Sequence, residues 1–145
     1  MQVQNSTASP DAVLSAVTAE LDMTKIQEAP AQTIKRLYGV NPSDYESCTL
    51  YYPVTNMDVD ELLLVKLTDI SQGEPLKMAV NERLSRQKHT FENYGPSQMA
   101  LLNEHAVLEL RGSYLLFVVS ANADDAKAAF IKALQADPTT EQKGA

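Results

Sequence analysis

Side chains that could do chemistry are few in this sequence, and most lie in two short stretches. The densest acidic cluster is Asp58-Val59-Asp60-Glu61. Alternating carboxylates can bind calcium, but an EF-hand loop needs a central glycine and a glutamate at its twelfth position, and neither is present. The two histidines, His89 and His105, have no ligand-like partner four residues on, and a metal site needs three or four converging ligands. The single cysteine, Cys48, can form neither an internal disulfide nor a cysteine-based zinc site, and it reads as a small hydrophobe in a strand. No Gly-x-Ser-x-Gly elbow, Walker loop or dinucleotide fingerprint occurs, and the five methionines are scattered. These patterns point to no catalytic residue, no metal and no cofactor.

The second stretch is more informative. Gln87, Lys88, Phe91, Tyr94 and Gln98 gather polar and aromatic side chains around a Gly95-Pro96 break. Gln87 falls on an apolar helical stripe, where a hydrocarbon side chain is expected, and a buried amide needs partners. Either Gln87 bonds loop backbone near Met57 and Asp58, or it lines a groove. The candidate binding residues are Met57, Asp58, Gln87, Lys88, Tyr94 and Gln98.

The elements that must position these residues follow from periodicity. Leu76, Val80, Leu84, Gln87, Phe91 and Tyr94 recur at spacings of three and four, the signature of one helix face. This long helix starts near Gly73 and Pro75, with Gly95 as its C-cap, and a short helix from Ser97 to Asn103 follows Pro96. Upstream, Ser9-Pro10-Asp11 opens a helix running to about Leu21, and a second helix starts at Pro30 and stops at Gly39. Strands are expected at Ser47–Tyr52, Glu61–Thr68, Ala106–Leu110 and Tyr114–Val119. Arg111-Gly112-Ser113-Tyr114 marks a hairpin turn. Asn122 caps a last helix.

The order is α-α-β-β-α-α-β-β-α. It predicts an α+β domain with a four-stranded, mostly antiparallel sheet made of two hairpins. The second and fourth strands, apolar on both sides, belong in the middle and the first and third at the edges. One globular domain spans residues 9–136, between a flexible leader (1–8) and a flexible tail (137–145).

Composition narrows the partners. The 145 residues carry 12 basic and 19 acidic side chains, a net charge of −7, which argues against nucleic acid and against anionic lipid. No run of apolar residues is long enough for a transmembrane span, and no signal-peptide pattern opens the chain. The partner is expected to be a small molecule or a protein.

Several segments carry a family resemblance: Leu37-Tyr38-Gly39, Asn56-Met57-Asp58-Val59-Asp60-Glu61-Leu62, Gln87-Lys88-x-x-Phe91-x-x-Tyr94-Gly95-Pro96, and Arg111-Gly112-Ser113-Tyr114. Over roughly residues 22 to 134 the chain resembles a bacterial family known as domain of unknown function 4358. The resemblance implies a small extracytoplasmic protein of the Firmicutes type, secreted or lipid-anchored. Such proteins often have a leader or lipobox ahead of the domain. This chain departs from that pattern in lacking the leader, and Cys48 lies inside the domain, so it is not a lipidation site. The family carries no assigned activity, so no catalytic residues follow from it. The leading expectation is a non-catalytic binding or interaction module. The alternatives are a hydrolase or transferase with a site near Tyr94 and Asp58, and an accessory subunit that pairs through an edge strand.

Overall fold

The computed structural model describes residues 8–135. The expected leader and tail therefore lie almost wholly outside the described residues. No helix among those described is long and apolar enough to cross a membrane.

Alternation along two strands dictates the architecture. In β3 (Glu61–Lys66) and β5 (Tyr114–Val119), Leu63, Val65, Leu115, Phe117 and Val119 point to one face of the sheet. Leu62, Leu64, Tyr114, Leu116 and Val118 point to the other. A strand apolar on both sides must be covered on both sides. Two helical layers do this. On the first face lie α2 (Ala31–Tyr38), α3 (Gly73–Phe91) and α4 (Pro96–Glu104), which bring Ile34, Leu76, Val80, Phe91 and Leu102 into the core. On the second lie α1 (Pro10–Thr18) and α5 (Ala123–Gln135), which contribute Val13, Val17, Ala126, Phe130 and Leu134. Each large apolar side chain removed from water in these layers contributes about 1.5–3 kcal/mol.

The sheet has five strands rather than four. Their order is β1-β2-β3-β5-β4, and every pairing is antiparallel. The additional strand, β1 (Ile26–Glu28), pairs Ile26 with Pro53 and Glu28 with Tyr51 of β2 (Ser47–Pro53). It has one apolar residue followed by two exposed polar ones, so it carries no alternation to betray it. Its presence moves β2 inward, and the expectation that β2 is an edge strand is wrong. β3 and β5 do form the middle pair, and β4 (Ala106–Arg111) is an edge.

Two glycines have specific tasks. Gly112 adopts φ 57 in the tight turn joining β4 to β5, as the hairpin requires. Gly95 is not the left-handed C-cap expected of it. Its φ is −124, and it lies ahead of Pro96 at the start of α4. What excludes a side chain there is proximity: a Cβ would come within 2.8 Å of both the Phe91 ring and the Gln98 amide oxygen.

A capping box fixes the single 3-10 turn Ile70–Gln72 that leads directly into α3. Asp69 accepts the Ser71 N–H, and Gln72 Oε1 accepts the N–H groups of Thr68 and Asp69. The second face is anchored at its margin by Tyr114, whose Oη donates to the Ala8 carbonyl at 2.6 Å.

Candidate binding groove

The helix face read from sequence as an apolar stripe broken by Gln87 also holds a cation. Between Val80 and Phe91, Arg83 turns inward and is only 8% exposed. It meets Glu61, the first residue of β3, which shares the row of Leu63 and Val65 and is 2% exposed. Arg83 Nε donates to Glu61 Oε2 at 3.1 Å, and Nη2 donates to Oε1 at 2.7 Å. This two-pronged geometry is the strong form of the interaction. The Oη of Tyr38, at the end of α2 and 4% exposed, donates to Glu61 Oε2 as well. The Arg83 guanidinium carbon lies 5.9 Å from the centre of the Tyr38 ring.

Burial opposes the charge on Arg83. The Glu61 hydrogen bonds and charge, with Tyr38 alongside, more than offset it, and the guanidinium pKa is raised. Burial, then the Glu61 carboxylate, hold the Tyr38 phenol well above its ordinary value, so it remains a proton donor. The network joins α2, β3 and α3. A bond from Arg86 Nη2 to the Leu37 carbonyl adds a second tie between the helices.

Beside this network lies an open groove of about 340 Å³. One wall is the loop Pro53–Asp58, and the other is the C-terminal half of α3 with Tyr94 beyond it. The loop is shaped by Thr55. Its carbonyl accepts the Asp58 N–H at 3.3 Å, its hydroxyl accepts the Met57 N–H at 3.2 Å, and that hydroxyl donates to Asp58 Oδ2 at 3.2 Å. Gln98 of α4 crosses to the loop, and its Nε2 donates to the Met57 carbonyl at 2.6 Å. Phe91, buried, and Tyr94, exposed, hold their rings 5.5 Å apart at the end of α3. Two cations line the groove, Arg36 and Arg83, and one carboxylate, Asp58.

The six residues singled out from sequence have different fates. Asp58, Gln87 and Tyr94 line the groove. Gln98 and Met57 hold the loop through the bond just described. Lys88 does not line it. The loop-backbone bond expected of Gln87 is made by Gln98 instead, and the Gln87 side chain has no hydrogen-bond partner among the described residues. Arg36, Tyr52 and Arg83 have no place among the candidates read from sequence, and Glu61, noted there only in the acidic cluster, and Tyr38 are not linked there to Arg83. A signal for Arg83 existed: it stands seven residues after Leu76 and three after Val80, squarely on the stripe.

The other ionisable groups play bland parts. His89 Nδ1 is 3.2 Å from Glu92 Oε2 on the exposed surface of α3. Burial pushes the Cys48 thiol up to about 11, so it is almost wholly protonated near neutrality. Among the described residues, no group of three or more His, Cys, Asp or Glu side chains is placed to hold a metal ion.

Asp60, at the foot of the loop, is 9% exposed. Burial raises its pKa, opposed by Lys25 and helped by Asp58. The folded chain therefore holds this proton more tightly than the unfolded chain does. The resulting stabilisation is complete below the unfolded value of about 4 and is lost as the pH rises through the folded value. Asp60→Asn is expected to melt above the wild type at pH 7, and the difference should vanish at pH 3. Thermal unfolding at the two pH values checks this.

No curated protein and no solved structure matches the chain. A family model does, over residues 19–120, a stretch that includes β1 to β5 and both walls of the groove. On that match the chain belongs to the family described as Domain of unknown function (DUF4358).

Proposed function

We propose that this protein is a non-catalytic binding module whose ligand site is the groove between the Pro53–Asp58 loop and the end of α3. One observation carries the reading. Tyr94, 57% exposed, lines this groove together with the rings of Tyr52 and Phe91 and the polar side chains of Arg36, Asn56, Asp58 and Gln87, while Val54 and Met57, also exposed, belong to the loop that forms its wall without lining it. Exposed apolar surface gathered at a concavity, with polar groups beside it, is the usual make-up of a ligand site. The groove is also held in advance, since the ion pair, Thr55 and Gln98 fix its walls before any ligand arrives. Such preorganisation lowers the cost of binding.

A binding role fits the lining better than catalysis does. The groove wall includes no histidine, cysteine or lysine to serve as nucleophile or base. Asp58, its one carboxylate, already accepts a hydrogen bond from Thr55. The extracytoplasmic location belongs to the same proposal and rests on the family resemblance alone.

The test uses small aromatic acids, amides and amines in thermal-shift measurements. Gln87→Ala and Tyr94→Ala should fold with little change in Tm and lose the ligand-induced shift. Full retention of the shift in both variants would contradict the assignment.

A further inference from the structure

We infer that the groove recognises a carboxylate carried next to an aromatic or branched apolar group. This rests on the groove being a binding site at all, and it adds the ligand's chemistry. Unused hydrogen-bonding capacity in the groove points to this ligand. A guanidinium has five N–H donors. Arg83 commits two of them to Glu61, and its Nη1 nitrogen has no acceptor among the described residues. Arg36 lines the same groove and makes no side-chain ion pair or hydrogen bond among the described residues. The amides of Gln87 and Asn56 are likewise without partners among the described residues.

Against these donors stands one carboxylate, Asp58, partly engaged by Thr55. Glu61 is no competitor for a ligand. It is 2% exposed, and its two oxygens already accept three hydrogen bonds. The surplus is of N–H donors rather than of charge, since Glu61 pairs with Arg83 and Asp58 is set against Arg36. Donors left over on two guanidinium groups and two amides are the arrangement that accepts a carboxylate. Guanidinium groups match the planar fork of a carboxylate best. The aromatic rings of Tyr52, Phe91 and Tyr94 supply the apolar part of the site. At about 340 Å³ the volume lies at the small end of ligand pockets, enough for one such group with its carboxylate. The same chemistry is offered by a free small acid and by the C-terminus of a peptide.

The experiment compares N-acetyl-phenylalanine, its C-terminal amide, and a pentapeptide ending in a free phenylalanine carboxylate. Binding to the full chain is followed by NMR through backbone amides and the side-chain amides of Asn56 and Gln87. The acid should bind at least about tenfold more tightly than the amide, as expected when a charge-assisted bond is lost. Arg36→Gln should remove that preference without lowering Tm, since Arg36 is exposed. Tighter binding of the pentapeptide than of the single residue identifies a peptide C-terminus as the source, and the reverse identifies a free acid. Equal binding of acid and amide in the groove overturns the carboxylate assignment while leaving the groove a binding site. A preference that survives Arg36→Gln overturns the assignment of the carboxylate to Arg36. If none of the three perturbs groove resonances, the carboxylate assignment and the binding-site reading fall together.

Discussion

Replacing Arg83 by methionine is expected to lower the free energy of unfolding by about 3–5 kcal/mol, the usual result of removing one member of a buried ion pair. The cause is the partner left behind. Glu61 is 2% exposed, and Arg83 supplies its only cationic partner among the described residues. Without the guanidinium, a carboxylate remains in the apolar layer of Leu63, Val80 and Phe117, with Tyr38 as its sole donor. A domain of this size has about 5–15 kcal/mol of stability in all, so this one change removes a large share. The double replacement Glu61→Leu with Arg83→Met should recover most of the loss, because a dry apolar pair needs no compensation. Tyr38→Phe should cost only about 0.5–1.5 kcal/mol, since both carboxylate oxygens keep their bonds to Arg83. Urea unfolding of the four proteins tests the ordering. If the double variant is no more stable than Arg83→Met, the ion pair is not the reason for the loss.

The second large effect separates floor from rim at the end of α3. Phe91 is 2% exposed and packs in the layer of Val59, Leu102 and Phe117. Phe91→Ala leaves a cavity there and should cost about 3–5 kcal/mol. Tyr94, three residues on and 57% exposed, touches Phe91 across one ring face. Tyr94→Ala should change stability by no more than about 0.5 kcal/mol, as for other surface sites. Two aromatic residues joined by a ring contact are thus expected to behave oppositely, one holding the fold and the other meeting the ligand. A Tyr94→Ala cost close to that of Phe91→Ala would make the whole patch structural.

These expectations depend on features of unequal visibility in the sequence. The middle strands and the second hairpin were legible because an apolar run bounded by polar turns has few other solutions. That helices must cover at least one face followed for the same reason, and the structure adds the layer on the other. β1 was not legible. Three residues with one apolar side chain hold their place only by pairing with β2, and that is a tertiary fact. The candidate site shows the same division. Asp58, Gln87 and Tyr94 attracted notice because a polar or aromatic residue broke an expected pattern. Arg83 did not, and Glu61 stood out only as a member of the acidic cluster, not as the partner of a buried cation. A charged residue on a helix is normally assigned to water, and its burial makes sense only once the opposite charge is found on another element, 22 residues away along the chain. Arg36 was missed because nothing in its local sequence distinguishes it. Its significance comes from the wall that α2 lends to the groove. Lys88 was included for its neighbourhood in sequence, and the helical turn carries it away from the lining.

The preorganised groove is the centre of this account. The network of Tyr38, Glu61 and Arg83 holds α2, β3 and α3 in register, and Gln98 pins the loop that faces them. The most direct measurement is a map of amide shifts on adding N-acetyl-phenylalanine and related aromatic fragments to the full chain. The account predicts perturbations concentrated at residues 52–58 and 87–98, with α1 and α5 on the opposite face unaffected. Perturbations centred on that opposite face, or none at any concentration the fragments allow, would contradict it.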